Sequence, residues 1–222
     1  MVEWVSSFTA KDLIFLLKAM MITLQLFGSA LGLGLIVGFF AGIMRTYPRS
    51  VVVRKLASFY IEFFRSTPIM LQVIVFYFGI SLFGLELSRG VVAAAGLSLY
   101  AGAYLGEILR AGIESVDRRQ WQAAASLGMS YPQIMRGVIL PQVVKICIPP
   151  SINFLVSLAK ATSLVSVLGY IELTRAGRLI VERTYQPFLV WGIVMAIYFL
   201  ICYPITIGGR RLEMRFQRKE VR

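Results

Sequence analysis

Few side chains in this sequence are able to do chemistry, and their spacing narrows what that chemistry is. There is no histidine, and the two cysteines, Cys147 and Cys202, sit apart in apolar surroundings. Ordinary zinc sites and imidazole-based triads therefore lack their usual parts. Asn153, Ser157 and Lys160 recur at i, i+4 and i+7, which puts them on one face of a helix, with Thr162 and Ser163 just beyond. A serine–lysine dyad needs a lysine in an environment that makes it a base. Ser157 and Ser163 each stand three residues from Lys160, the spacing of ordinary helix neighbours, and nothing marks such an environment. A polar stripe in an apolar helix either lines a wet path or bonds to neighbouring helices, and both readings stay open here. Gln72, preceded by Thr67, is the conspicuous polar residue of another apolar run. Glu107 and Arg110 form an i, i+3 pair suited to positioning a loop. The sequence holds no GxxxxGK[ST] phosphate loop, so nucleotide hydrolysis would belong to another chain.

The elements that carry these residues are membrane spans. The chain is 58% hydrophobic and 15% charged, with a mean hydropathy of +0.75. Soluble domains average about 45–50% apolar and about 25% charged. Its 222 residues hold about five spans and no sizeable soluble domain, so residues 1–222 read as a single transmembrane domain. The spans fall at about 20–44, 68–83, 90–108, 138–164 and 188–207, with a cytoplasmic loop over about 114–136. The net charge of +12 reflects cytoplasmic marking of loops, not nucleic-acid binding. Most of the 23 basic residues fall on the first and third connections and the tail, which places the N-terminus outside and the C-terminus inside.

Local signals refine these spans. Residues 1–18 read as a short amphipathic surface helix, without the basic stretch of a signal peptide. Gly28 with Gly32, and Gly34 with Gly38 and Gly42, predict close helix packing. Arg54, Ser58, Glu62 and Arg65 share a polar face, and Ser66, Thr67 and Pro68 predict a hydroxyl-capped helix start. Pro149 and Pro150 predict a bend or break in the fourth span. Residues 167–187 predict an amphipathic helix outside the membrane, paired at Glu172/Arg175 and Arg178/Glu182, with Leu173, Ala176 and Ile180 on another face.

The segment 118–150 stands apart: a small-residue run, then Gly128, Pro132, and Leu140-Pro141. It predicts a short helix, a turn and a second helix, held at the inner surface and suited to docking on another protein. Gln122-Ala123-Ala124, with Gly128 and then Ile139-Leu140-Pro141, resembles the EAA loop of binding-protein-dependent ABC importer permeases. FFRSTPIMLQ at 63–72, YAGAYLGEILRAGIESV at 100–116 and LAKATSL at 158–164 resemble the polar amino acid branch of that family. Two positions differ: Gln122 stands where the family usually has glutamate, and Ala161 where the branch commonly has aspartate.

The resemblance implies an all-α type I ABC importer permease bundle in the cytoplasmic (inner) membrane of a prokaryote. It implies no catalysis by this chain, and ATP and Mg held by partner ATPase subunits. The further partners implied are a second permease, identical or not, an extracytoplasmic amino-acid-binding protein, a small polar amino acid, and membrane lipid. Gln122, Ala123, Ala124, Gly128, Leu140 and Pro141 are the expected coupling residues. Thr67, Gln72, Asn153, Ser157, Lys160, Thr162 and Ser163 are the candidate path residues. Three other readings of the residues are an ATP-independent secondary transporter or channel, an intramembrane enzyme, and a permease-like subunit that binds no substrate.

Overall fold

The computed structural model describes residues 7–46 and 50–217, which are helical apart from short connections. Helix α1 (Ala10–Thr46) starts ten residues before the predicted span. Its first turn is closed by the Asp12 carboxylate, which accepts from the Thr9 amide and hydroxyl at 2.8 and 2.9 Å. Residues 10–18 are thus the first turns of α1 and not a separate surface helix. The rest of that expectation lies partly outside the described residues.

Helices α2 (Val51–Ser66) and α3 (Ile69–Leu82) meet at a bend of 112°. The expected hydroxyl cap works in the opposite sense. Thr67 donates to the Phe63 carbonyl at 2.7 Å and closes α2, leaving Pro68 at the N-cap of α3. At 1.5 Å per residue, the 14 residues of α3 reach about 21 Å, short of a hydrocarbon core of about 30 Å. A crossing here takes both arms of the elbow, and with that pair counted once the described helices make up to five spans.

Helix α4 (Arg89–Glu114) lies along α1 in the most extensive helix contact of the molecule. Glycine is required there. A Cβ on Gly38 would stand 2.8 Å from the Gly102 carbonyl oxygen, and one on Gly42 would stand 2.8 Å from that of Gly106. The expected glycine packing is seen along this half of α1; among the described residues nothing lies within 4 Å of a Cβ on Gly28 or Gly32.

Helices α5 (Arg118–Ser126) and α6 (Tyr131–Ile134) form the expected short pair. The second does not stop. It passes through one wide turn, Met135–Ile139, into α7 (Leu140–Ala161). Pro141 explains the wide turn: it offers no N–H, and its ring would crowd the carbonyl four residues back in a regular helix. Leu140 bonds to Met135 five residues back instead. Pro149 and Pro150 leave α7 unbroken, so of the predicted bend or break the break does not occur. A 3-10 stretch, Thr162–Leu168, ends at Gly169 with φ +73°. Helix α8 (Leu173–Thr184) then packs Leu173, Ala176 and Ile180 against Leu16 of α1 and Val190 and Val194 of α9 (Pro187–Gln217). The core between α4 and α7 centres on Leu97, Ala101 and Leu158.

Candidate coupling surface and translocation path

Asp117 opens α5 by accepting from the Arg119 amide at 2.9 Å. Gly128, with φ +75°, closes it. Met129 N–H reaches the Ala124 carbonyl and Gly128 N–H reaches that of Ala125. These are the two bonds of a Schellman turn, which favours glycine at this position. Ser130 then starts α6, its amide bonded to Gln133 Oε1 at 2.7 Å. The turn folds α5 back so that the Trp121 and Tyr131 rings lie 6.1 Å apart.

The expected coupling residues divide between two faces. Ala124 is buried among Ile113, Val116, Ile134, Ile139 and Val143. It fastens α5 to the ends of α4 and α7 and does not face outward. Gln122, Ala123, Ala125 and Gly128 are exposed, and Leu127 is 81% exposed. Leu140 and Pro141 lie past the wide turn, in the first turn of α7.

At this same end of the bundle, Glu107 of α4 holds three arginines. Arg110 approaches to 2.7 Å, Arg45 of α1 to 3.0 Å and Arg65 of α2 to 3.3 Å. Arg45 also reaches Glu62 of α2 at 2.7 Å, and Arg110 pairs with Glu114. The expected Glu107–Arg110 pair exists, and it is part of a knot that joins three helices. Arg65 also lies 5.6 Å over the Tyr104 ring, on which Phe154 stacks and against which Tyr100 is tilted. Sequence spacing has no means of showing these meetings, since Arg45 and Glu107 are 62 residues apart.

The candidate path residues form two groups. Asn153, Ser157 and Lys160 are all exposed along one face of α7, opposite Phe154, Leu158 and Ala161 in the core. Ser163, half-buried, follows them, its hydroxyl on the Lys160 carbonyl at 2.7 Å. Thr162 is fully buried and does not face the stripe. Thr67 and Gln72 meet each other at the α2–α3 elbow. Gln72 Nε2 donates to the Phe64 and Thr67 carbonyls and to the Thr67 hydroxyl, at 2.8, 3.0 and 2.8 Å. These bonds hold the bend by joining both of its arms.

A second buried polar group, which the sequence reading misplaced, lies at the opposite end of the bundle. Glu172 was expected to pair with Arg175 on a surface helix. Instead its side chain is fully buried at the N-cap of α8, accepting from the Thr174 and Arg175 amides at 2.9 and 2.8 Å and from the Tyr198 hydroxyl at 3.1 Å. The neighbouring Leu173 amide donates to Thr23 of α1 at 3.1 Å. Burial pushes the Glu172 carboxyl above its ordinary range, and these hydrogen bonds pull against that shift. The one signal for this role was position: an acid just before an amphipathic helix, shortly after a glycine.

Comparison with known proteins agrees with this architecture. Residues 34–218 match the family described as binding-protein-dependent transport system inner membrane component. The chain is 34% identical to the probable amino-acid ABC transporter permease protein YckA of Bacillus subtilis, over 97% of this chain and 96% of that one. It is 31% identical to the arginine transport system permease protein ArtQ of the same organism, over 96% and 98%. A solved amino acid ABC transporter with histidines superposes with a TM-score of 0.87 at 33% identity, covering 92% of this chain and 95% of that one. The methionine ABC transporter MetNI in an inward-facing conformation shares the fold, with a TM-score of 0.77 at 17% identity over 94% and 99%.

Proposed function

The chain belongs to the binding-protein-dependent transport system inner membrane components, and from that we infer that it is the permease through which an ATP-driven importer admits a polar amino acid. It is a multi-pass transport subunit and not itself an enzyme. In our reading two such permeases, identical or not, form the path in a prokaryotic cytoplasmic membrane. An extracytoplasmic binding protein delivers the amino acid, and two ATPase subunits hold ATP and Mg. The ATP-independent transporter finds no support among the similar proteins.

One observation carries the mechanical part of this proposal. The helical run Tyr131–Leu168 begins directly after the turn at Gly128 and carries the polar stripe. A packed helix moves as a rigid element, so displacement of α5 by an ATPase is carried along this run to Asn153, Ser157 and Lys160. Ala124 makes that transfer firm, because its burial beneath α5 lets the loop press on the helix instead of swinging free. The exposed face of Gln122, Ala123 and Leu127 is then the docking surface. Gln122 would contribute hydrogen bonds there and no charge.

Gly128 is the place to test it. A bulky residue at φ +75° strains the Schellman turn and costs on the order of 1 kcal/mol or more. The space around Gly128 is open, so the bundle itself tolerates the change. In the reconstituted transporter, Gly128→Leu is expected to abolish ATP-driven amino acid uptake, with the ATPase either dissociated or hydrolysing without transport. Normal ATP-driven uptake by this variant would overturn the coupling assignment.

A further inference from the structure

A groove of about 590 Å³ runs between α1 and α2. Ile36, Phe40 and Met44 of α1 form one wall, and Val53, Leu56 and Tyr60 of α2 form the other. Tyr60 keeps its polar end away from this space, since its hydroxyl donates to the Leu99 carbonyl at 2.6 Å. Helix α1 ends at Thr46 and α2 begins at Val51. Met44 and Val53 therefore mark the mouth, at the end of the bundle that carries α5, and Ile36 and Tyr60 mark the depth. At 1.5 Å per residue the α1 wall from Ile36 to Met44 is about 12 Å long. Half of a hydrocarbon core is about 15 Å. The groove thus reaches about one leaflet deep and stops, as a lipid chain does and a neighbouring protein's crossing helix does not.

The mouth is basic. Arg54 and Lys55 stand in the chain between the lining residues Val53 and Leu56, and both are exposed. Among the described residues no carboxylate pairs with either of them, whereas Arg45, Arg65 and Arg110 at the same end are committed to Glu107. A second apolar groove, about 540 Å³ inside the α2–α3 elbow, makes the contrast. The basic residue that follows its lining residue Phe64 is Arg65, which Glu107 already holds at 3.3 Å. Two uncommitted cations beside a leaflet-deep apolar slot match the two halves of one molecule. We propose that the α1–α2 groove seats an acyl chain of an anionic phospholipid, whose phosphate headgroup lies on Arg54 and Lys55. The site is independent of which solute the permease admits.

The test places the assembled transporter in phosphatidylcholine vesicles that hold a minor share of brominated phosphatidylglycerol or, in parallel, of brominated phosphatidylcholine. Bromine quenches a tryptophan that it touches. Phe40→Trp puts a reporter in the groove wall, and Val75→Trp puts one in the elbow groove as a control. Each signal is read as the difference from the unsubstituted protein. At Phe40→Trp, phosphatidylglycerol is expected to outcompete phosphatidylcholine about thirtyfold, the ratio that two basic side chains near a membrane surface supply. Adding Arg54→Gln and Lys55→Gln is expected to bring that ratio close to one. At Val75→Trp it is expected to be close to one throughout.

Equal quenching by the two lipids at Phe40→Trp would overturn the proposal, because no headgroup is then selected. A preference of the same size at Val75→Trp would reduce it to the general attraction of anionic lipid for a basic surface, and the site would be lost. No quenching by either lipid at Phe40→Trp means that protein covers the groove, which also overturns it. A preference that survives the double substitution puts the headgroup elsewhere and removes Arg54 and Lys55 from the assignment. Should the double variant fail to assemble, the comparison of Phe40→Trp with Val75→Trp decides the matter.

Discussion

The two ends of the bundle each gather charge, in physically opposite ways. At the end that carries α5, Glu107 shares three arginines from three helices, its side chain is still 17% exposed, and the outlying Glu62 is 63% exposed. At the other end, Glu172 is wholly out of water and, among the described residues, holds no guanidinium in its hydrogen bonds; two backbone amides and a tyrosine hydroxyl hold it. The first arrangement is made of charges that water can take over when a pair opens. The second has no such replacement. Under the proposed function, a knot of the first kind suits the end where a partner pushes and helices shift. A knot of the second kind suits an end that has to stay fixed.

That contrast makes graded predictions. Glu172→Leu is expected to have the largest effect, about 3 kcal/mol of stability, because it strands two helix amides and a tyrosine hydroxyl without solvent. Thermal unfolding in detergent measures it, and a loss well under 1 kcal/mol would erase the distinction between the two ends. Glu107→Gln comes next, at about 1–2 kcal/mol, since it removes the centre of a half-wet network and leaves three arginines facing one another. Its effect is expected to shrink as ionic strength rises, whereas that of Glu172→Leu stays constant. Glu62→Gln is the smallest, at about 0.5 kcal/mol or less. A Glu62 effect equal to that of Glu107 would mean that the network acts as one body, and would blur the grading within this end.

How legible each end was in the sequence follows from the range of its interactions. The turn at Gly128 was readable because a Schellman cap is local: a small-residue helix, a glycine, then a new helix start, all within one segment. The expected contact face was half wrong at Ala124. Which alanine of a run points inward depends on the helix it lies against, and Ile113, Ile134 and Val143 come from elsewhere in the chain. Glycine spacing foretold close approach along α1, and Gly34, Gly38 and Gly42 meet α4; among the described residues none lies within 4 Å of a Cβ on Gly28 or Gly32, which have the identical spacing. The paired prolines do not break α7. Pro149 and Pro150 remove hydrogen bonds from α7, and a helix packed among membrane neighbours tolerates that loss.

The amino-acid sequence by itself determined that the chain is a multi-span helical membrane protein, with a polar helical segment between two of its spans and a polar stripe on its fourth span. Those properties follow from composition, period and charge, all of which act over a few residues at a time. Only the tertiary structure decided that Arg45, Arg65 and Glu107 form one knot, that α2 and α3 meet at a sharp elbow, and that Glu172 is the buried cap of α8 and not half of a surface ion pair. A carboxylate can be ionised at a surface or enclosed by donors, and its own neighbours in sequence look the same in both cases. The choice lies with Tyr198, which folding brings to the carboxylate from α9, and with Thr23 of α1, which bonds the adjoining Leu173 amide.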